Sequence, residues 1–475
     1  MNESGLIFQT PQNSSLTEFQ TRLNEVSPSF CAAKWKQVTL HLQNGFTHSC
    51  HHPTAHKIPL EELKRNPSAL HNTEFKKQQR KLMLQGKRPT ECDYCWRVED
   101  TKSESLSDRI YKSQESWAEP FIEDIANKPW DDDVYPSYVE VSFGNLCNLK
   151  CSYCFPQFSS RIMEEIETHG GYPTHDNFNN LDNLRKKNEI PISPKEHNPY
   201  VEAFWKWWPK LYPHLKTFRI TGGEPLLNKN TFKTLDYIIE NPNPDLSLAI
   251  NSNLCIPEIQ FRDVLEKIKR LLGDGLIKQF ELFTSAEAKG KQAEYIRFGM
   301  DYNLWLDRIN TLCKEVPELQ LTVTSTYNVL SLPSYRDFLN DILTIKREYT
   351  LNSSQRTALY LETPYLRYPN HQAVFIIQPE MLKTLFSQVT FMNDNLDGTE
   401  IDGVCLRGFY PSEIDKLKRI YNITSSELKN PSTDNNTNRK DFVLFMDEHD
   451  RRRGTNFLET FPELEDFYHL CKSLL

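Results

Sequence analysis

Six short apolar runs alternate with longer amphipathic stretches between residues 138 and 363, and this alternation constrains the fold more than any other feature of the chain. "YVEVSF" (138–143), "TFRIT" (217–221), "LSLAIN" (246–251), "QFELFTS" (279–285), "LQLTVTST" (319–326) and "ALYLET" (358–363) have the length and the β-branched and aromatic content of strands. Between them, "IQFRDVLEKIKRLLGDG" (259–275) and "YRDFLNDILTIKREY" (335–349) read as helices. Strands alternating with helices predict βαβ units and a parallel sheet. Six to eight such units bend into a full or partial barrel, whose chemistry sits at the C-terminal ends of its strands. The expected fold class is α/β, with a partial (β/α)6 barrel over residues 137–385.

The remainder of the 475 residues divides around that barrel. Residues 1–30 are polar and aperiodic and read as a loose arm. Residues 31–100 form a compact segment rich in Cys and His. Residues 101–136 read as a helix followed by a linker, "NKPWDDDVYPSY" carrying two prolines and three acids. A polar insertion at 176–200 reads as a mobile loop, and 428–441 as a flexible linker. Residues 386–475 are expected to be helical, their last stretch packing on the barrel or capping its open side. No internal repeat is apparent.

The formal net charge is −8 and no long Lys/Arg run is present, which argues against a protein that coats nucleic acid. The locally basic stretch at 64–88 reads as a solvated helix face. The N-terminus has no apolar signal core and no run of 18 apolar residues occurs, so a cytoplasmic protein without a membrane span is expected. Eleven cysteines in such a chain point to metal binding or catalysis rather than to disulfides.

Three of them lie in "NLCNLKCSYC", directly after the first strand: Cys147, Cys151 and Cys154. The spacing C-x3-C-x2-C lets one loop wrap three corners of a [4Fe–4S] cubane and leaves the fourth iron open to an exogenous ligand. The alternative is a zinc site completed by a His or Cys from elsewhere. The next strand ends in "FRITGGEPLLN". Gly222 and Gly223 let the backbone approach a ligand closely, and Glu224 can accept from an ammonium group. A lone Gly-Gly-Glu is usually only a turn; following the cysteine loop by one βα unit, it is specific.

The two motifs together resemble the radical S-adenosylmethionine (radical SAM) superfamily. The match is C-x3-C-x-aromatic-C, with Tyr153 as the aromatic, and "GGEP" letter for letter. The resemblance implies a SAM molecule bound to the open iron, with its amino group at the GGEP turn. It implies reductive cleavage to a 5′-deoxyadenosyl radical that takes a hydrogen atom from substrate, with flavodoxin or ferredoxin as electron donor. Ser252 and Asn253, ending the third strand, are then candidates near the ribose. Ser285 and Arg297 are candidates for the SAM carboxylate, since Arg offers a bidentate fork. Asn328 is a candidate for lining the cavity near the adenosine.

Four further cysteines lie upstream: Cys31, Cys50, Cys92 and Cys95. "VTLHLQNGFTHSC" reads as a hairpin turning at Asn44–Gly45. A hairpin cysteine, a helix and a C-x2-C pair can converge four thiolates. This set resembles the twitch and SPASM modules that carry an auxiliary iron–sulfur cluster. Here it precedes the barrel, an order that, with "EYIRFG" and "RRRGTNFLETFPEL", is similar to a twitch-containing group of phages and environmental bacteria. A second [4Fe–4S] cluster is expected, with a zinc knuckle as the alternative; His48, His51, His52 and His56 complicate the ligand count. Cys255, Cys313, Cys405 and Cys471 read mostly as buried small hydrophobes, Cys405 being a candidate hydrogen-atom donor. The auxiliary module implies a peptide or protein side chain as substrate. A small molecule such as an aminosugar, amino acid or nucleotide is the alternative, and a non-catalytic iron–sulfur or zinc scaffold a third reading. Cobalamin-dependent methylation is disfavoured, because cysteines occupy the N-terminal portion.

Overall fold

The computed structural model describes residues 16–101, 106–349, 359–401, 404–431 and 434–475. Its centre is a mostly parallel sheet of nine strands. The strands in chain order are β1 (Gln37–His41), β2 (Phe46–His48), β3 (His56–Lys57), β4 (Tyr138–Ser142), β5 (Lys150–Cys151), β6 (Thr217–Thr221), β7 (Asn243–Asn251), β8 (Ile277–Thr284), β9 (Arg297–Phe298), β10 (Gln320–Thr324), β11 (Leu359–Glu362), β12 (Thr399–Ile401) and β13 (Val404–Leu406). The sheet order is β11-β10-β8-β7-β6-β4-β1-β2-β3. From β1 to β11 every neighbouring pair is parallel and each strand is laid beside the one before it. β5 and β9 pair with each other outside the sheet, as do β12 and β13. The six strands expected from 138 to 363 are all present, within three residues of their expected bounds.

Helices cover one face. Helix Glu258–Gly273 shows why: Phe261, Val264, Leu265, Ile268 and Leu271 fall on one stripe and are all buried. They meet the apolar positions of the strands, Val139 and Val141, Phe218 and Ile220, Leu248 and Ile250, Phe280 and Leu282. A smaller core gathers Phe19, Leu23, Trp35, Trp96 and Trp117 around the upstream cysteines.

Four expectations change. The segment read as a loose arm contains helix Leu16–Val26, which buries Phe19 and Leu23; residues 1–15 lie outside the described residues. The hairpin at Asn44–Gly45 is present, with Thr39 opposite His48 and His41 opposite Phe46. Its first strand, however, also pairs with β4, Val38 beside Val139, so the upstream segment extends the central sheet. The supposed linker at 428–441 is mostly helix: Pro411–Lys429 is followed by Asn435–Arg453, whose first turn is capped by Asp434 accepting from Asn436 N. The insertion read as a mobile loop holds helix Leu181–Lys186 and is anchored by Asn198, whose Nδ2 donates to Leu42 O at 2.8 Å. No helix among the described residues is long and apolar enough to cross a membrane.

Candidate metal and cofactor site

The loop leaving β4 carries Cys147, Cys151 and Cys154, all half-buried. It is closed by its own hydrogen bonds: Ser160 N donates to Asn145 O at 2.7 Å, Ser159 Oγ to Leu149 O at 3.0 Å and Asn145 Nδ2 to Pro156 O at 3.1 Å. Burial pushes the Cys147 thiol up to about 12, and the neighbouring Cys151 adds to the rise. Burial, then Cys151 and Cys147, raises Cys154 as well. The three sulfurs thus share one desolvated patch, in which thiolates need a cation to form, and loading with metal must release protons.

Cys151 is fixed from across its own two-stranded ladder. It sits in β5 opposite Arg297 of β9. Arg297 Nη1 points at Cys151 Sγ at 3.8 Å, while Nε and Nη2 donate to Glu287 at 2.9 and 2.8 Å. Nη2 also donates to Tyr153 Oη at 2.7 Å, and Tyr153 Oη donates to Glu287 Oε1 at 3.1 Å. Burial works against the guanidinium's charge, but Glu287, with Tyr153 and Cys151, outweighs it and holds Arg297 well above its ordinary range. The fork expected at a SAM carboxylate is therefore spent on Glu287, and the remaining amino group serves a cysteine. Arg453 approaches from the far end of the chain, its Nη1 donating to Lys150 O at 2.7 Å and its Nη2 to Glu165 at 3.0 Å.

The GGEP turn packs directly on this loop. Gly222 has φ +115°, and a Cβ there would stand 2.8 Å from Gly144 O. A Cβ on Gly223 would stand 2.7 Å from the Asn145 carbonyl carbon and closer still to Leu146 O. The close approach that both glycines permit is to the cysteine loop itself. Glu224 N donates to Leu146 O at 2.7 Å, locking the two turns together. Because the obstructing atoms are backbone, Gly223→Ala is expected to destabilise the protein by about 1–3 kcal/mol and to lower iron loading at the loop. A variant with wild-type thermal midpoint and iron content would show that the loops are not rigidly apposed.

The ends of β4, β6 and β7 are laced into one cage. Glu224 accepts from Leu226 N at 2.9 Å and from Asn253 N at 2.6 Å. Asn253 Nδ2 donates to Asn148 Oδ1 at 2.9 Å, and Asn148 Nδ2 to Cys255 O at 2.6 Å. Ser252, nearly fully buried, accepts from Leu254 N at 3.0 Å. Ser285 is half-buried just past β8. Asn328 is fully buried and caps its own turn, accepting from Leu330 N at 2.9 Å.

The polar face of the sheet escaped the sequence analysis. Register places Thr39, Glu140, Arg219, Ala249, Glu281 and Gln320 in one row, on the face away from the apolar strand positions. Arg219 Nε donates to Asn251 Oδ1 at 3.2 Å and stacks on Phe283 at 4.2 Å; Thr322 Oγ1 donates to Glu281 Oε1 at 2.8 Å. The signal was available: "YVEVSF" and "QFELFTS" alternate, whereas parallel strands buried on both faces run continuously apolar.

Cys31, Cys50, Cys92 and Cys95, drawn from three separate stretches of the upstream segment, line one cavity with Lys34, Lys112, Arg109 and Met83. Burial pushes Cys92 up to about 12 against the pull of Lys34. Of the four histidines, His52 lines the cavity and bonds Asp108 Oδ2 at 2.7 Å. Ser49 Oγ, also in the lining, is buried and has no hydrogen-bond partner. Four thiols in one cavity offer the soft donors of a metal–thiolate centre, while the three cations beside them are already paired, Lys34 with Glu91, Arg109 with Glu99 and Lys112 with Asp108. Among the described residues, the possible metal ligands whose atoms all lie within 4.8 Å reduce to Asp176, His371 and Asp441. Neither thiol set is drawn in to the spacing of a mononuclear zinc site, where Zn–S bonds of about 2.3 Å put sulfurs about 3.8 Å apart. Cys313 and Cys471 are buried and Cys255 half-buried. Cys405 falls on β13, and its side chain lies outside the described residues.

No model of a known protein family matches the chain, and no curated protein matches it.

Proposed function

We propose that the chain is a radical SAM enzyme of the twitch/SPASM type that abstracts a hydrogen atom from a peptide or protein side chain. The observation that carries the reading is the backbone-to-backbone seating of the GGEP turn on the three-thiol loop, Glu224 N on Leu146 O at 2.7 Å. In this reading the contact would hold Glu224, as an ammonium acceptor, beside three thiolates that leave one corner of the cubane open. The strand order, each parallel strand beside its predecessor, supports the partial-barrel part of the reading. When bound, the cubane and SAM supply a one-electron cleavage of the S–C5′ bond and hence a 5′-deoxyadenosyl radical.

The chain's own residues hold and orient. Cys147, Cys151 and Cys154 would hold the cubane; Arg297 stands beside Cys151 as a fixed positive charge. Glu224 would accept from the SAM amino group, and the cage of Asn253 and Asn148 keeps its carboxylate in place. Cys31, Cys50, Cys92 and Cys95 would hold the auxiliary cubane, and that module carries the peptide reading. The row of Glu140, Arg219 and Glu281 favours a small polar substrate as the second reading. The setting is a cytoplasm able to supply reduced flavodoxin or ferredoxin.

Anaerobically loaded protein, reduced with dithionite in the presence of SAM, is expected to release 5′-deoxyadenosine; iron-loaded, reduced protein that leaves SAM intact would refute the assignment. Burial raises Glu224 to about 7, against backbone donors that act the other way. A raised carboxylate loses stability for the fold as pH rises from its ordinary value of 4.5 through about 7. Its anionic form, which an ammonium needs, grows over the same range. SAM affinity is expected to rise about tenfold from pH 6 to pH 8 and to be flatter in Glu224→Gln. Equal slopes in the two proteins would place the ammonium elsewhere.

A further inference from the structure

Asp176, His371 and Asp441 come from three separate parts of the chain: the insertion after β5, the turn Asn370–Gln372, and helix Asn435–Arg453. His371 is completely buried, Asp441 is 1% exposed and Asp176 half-buried. One ligand atom from each lies within 4.8 Å of the others. His371 Nδ1 faces Asp176 Oδ2 at 3.7 Å. Both atoms are buried, and among the described residues neither has a partner within hydrogen-bond distance. That distance is long for a hydrogen bond and suits two ligands of one ion, since metal–N and metal–O bonds of about 2.1 Å span up to about 4.2 Å.

The rest of the group is preorganised. Asp176 Oδ1 accepts from Phe178 N at 3.0 Å, leaving Oδ2 free to turn inward. Asp441 Oδ1 accepts from His175 N at 2.8 Å and bonds His175 Nδ1 at 2.5 Å, while Oδ2 accepts from Asp176 N at 3.3 Å. Among the described residues, no Lys or Arg forms an ion pair with either carboxylate. The basic groups that face the two carboxylates are the imidazoles of His175 and His371, and a pair of carboxylates with imidazoles but no lysine or arginine against them suits a bound cation.

We propose that Asp176, His371 and Asp441 bind one divalent first-row transition-metal ion. The imidazole selects against Ca²⁺ and Mg²⁺, which take oxygen ligands, and the carboxylates suit Mn²⁺, Fe²⁺ or Zn²⁺. The ion would clamp the insertion and the C-terminal helix against the cysteine loop. Gln372, next to His371, accepts from Ser152 Oγ at 2.7 Å and donates to Ser152 O at 3.1 Å; Asn179, three residues past Asp176, donates to Cys154 O at 3.0 Å.

Mn²⁺ is the probe of choice, because thiolates compete for Zn²⁺ far more than for Mn²⁺. Titration of cluster-loaded, full-length protein, followed by the EPR signal of free Mn²⁺, is expected to show one bound ion per chain, displaced by Zn²⁺. His371→Gln and Asp441→Asn are each expected to weaken binding at least about tenfold. Should a buried variant fail to fold by circular dichroism, Asp176→Asn, which keeps the Oδ1 bond to Phe178, carries the same test. Iron-free protein must give the same stoichiometry, so the result does not depend on what the thiols hold. No Mn²⁺ or Zn²⁺ bound by the wild type, or equal Mn²⁺ affinity in wild type and folded variants, overturns the assignment.

Discussion

Alanine at Cys151 is expected to lower iron in anaerobically loaded protein from about eight atoms per chain to about four, and to abolish 5′-deoxyadenosine formation. Two thiolates cannot hold three corners of a cubane, and Arg297, which faces Cys151 Sγ at 3.8 Å, is a cation and cannot replace the lost sulfur. Alanine at Cys92 should remove the other four irons instead, since that thiol lines the separate upstream cavity. The pattern of loss is diagnostic. If Cys151→Ala keeps its full complement of iron and still cleaves SAM, the loop is not the site of the open cubane. If wild-type protein binds about four irons and one zinc, the upstream thiols form a zinc knuckle and the first site stands alone.

Methionine at Arg297 is expected to destabilise the protein by about 3–5 kcal/mol, the cost of leaving one partner of a buried pair uncompensated. The side chains of Arg297 and Glu287 are 9% and 0% exposed. Without the guanidinium, Glu287 retains only the Tyr153 hydroxyl among these partners. The double variant Arg297→Met, Glu287→Met removes both charges and should recover much of the loss, because apolar side chains of similar volume often replace a buried pair at little net cost. Denaturant titrations of the single and double variants measure the difference. A double variant as unstable as the single one would mean that the fold needs the pair for packing. Iron at the Cys151 loop should stay low in both, since Nη1 is absent from each.

Much of the architecture is local and was legible. Each strand core between 138 and 363 carries its own short apolar or aromatic run, and each helix its own apolar stripe, so periodicity alone placed them. The two motifs were legible for the same reason: Cys147, Cys151 and Cys154 share one loop, and Gly222 to Glu224 one turn. The arm and the linker were misread because helix Leu16–Val26 fully buries just Phe19 and Leu23, with Leu16 and Val26 half-buried beside them, and Asn435–Arg453 opens on six polar residues, "NNTNRK". Their helicity depends on what they pack against rather than on composition.

The residue sequence by itself determined the alternation, the thiol spacing and the glycine turn, because each is set by neighbours a few positions apart. Only the tertiary structure decided who meets whom. It seated Arg297 on Cys151 across 146 residues, gathered four upstream thiols into one cavity, turned Glu140, Arg219 and Glu281 to one face, and brought Asp176, His371 and Asp441 together from three segments. Such encounters follow from sheet register and core packing summed over the whole chain, and no local pattern encodes them.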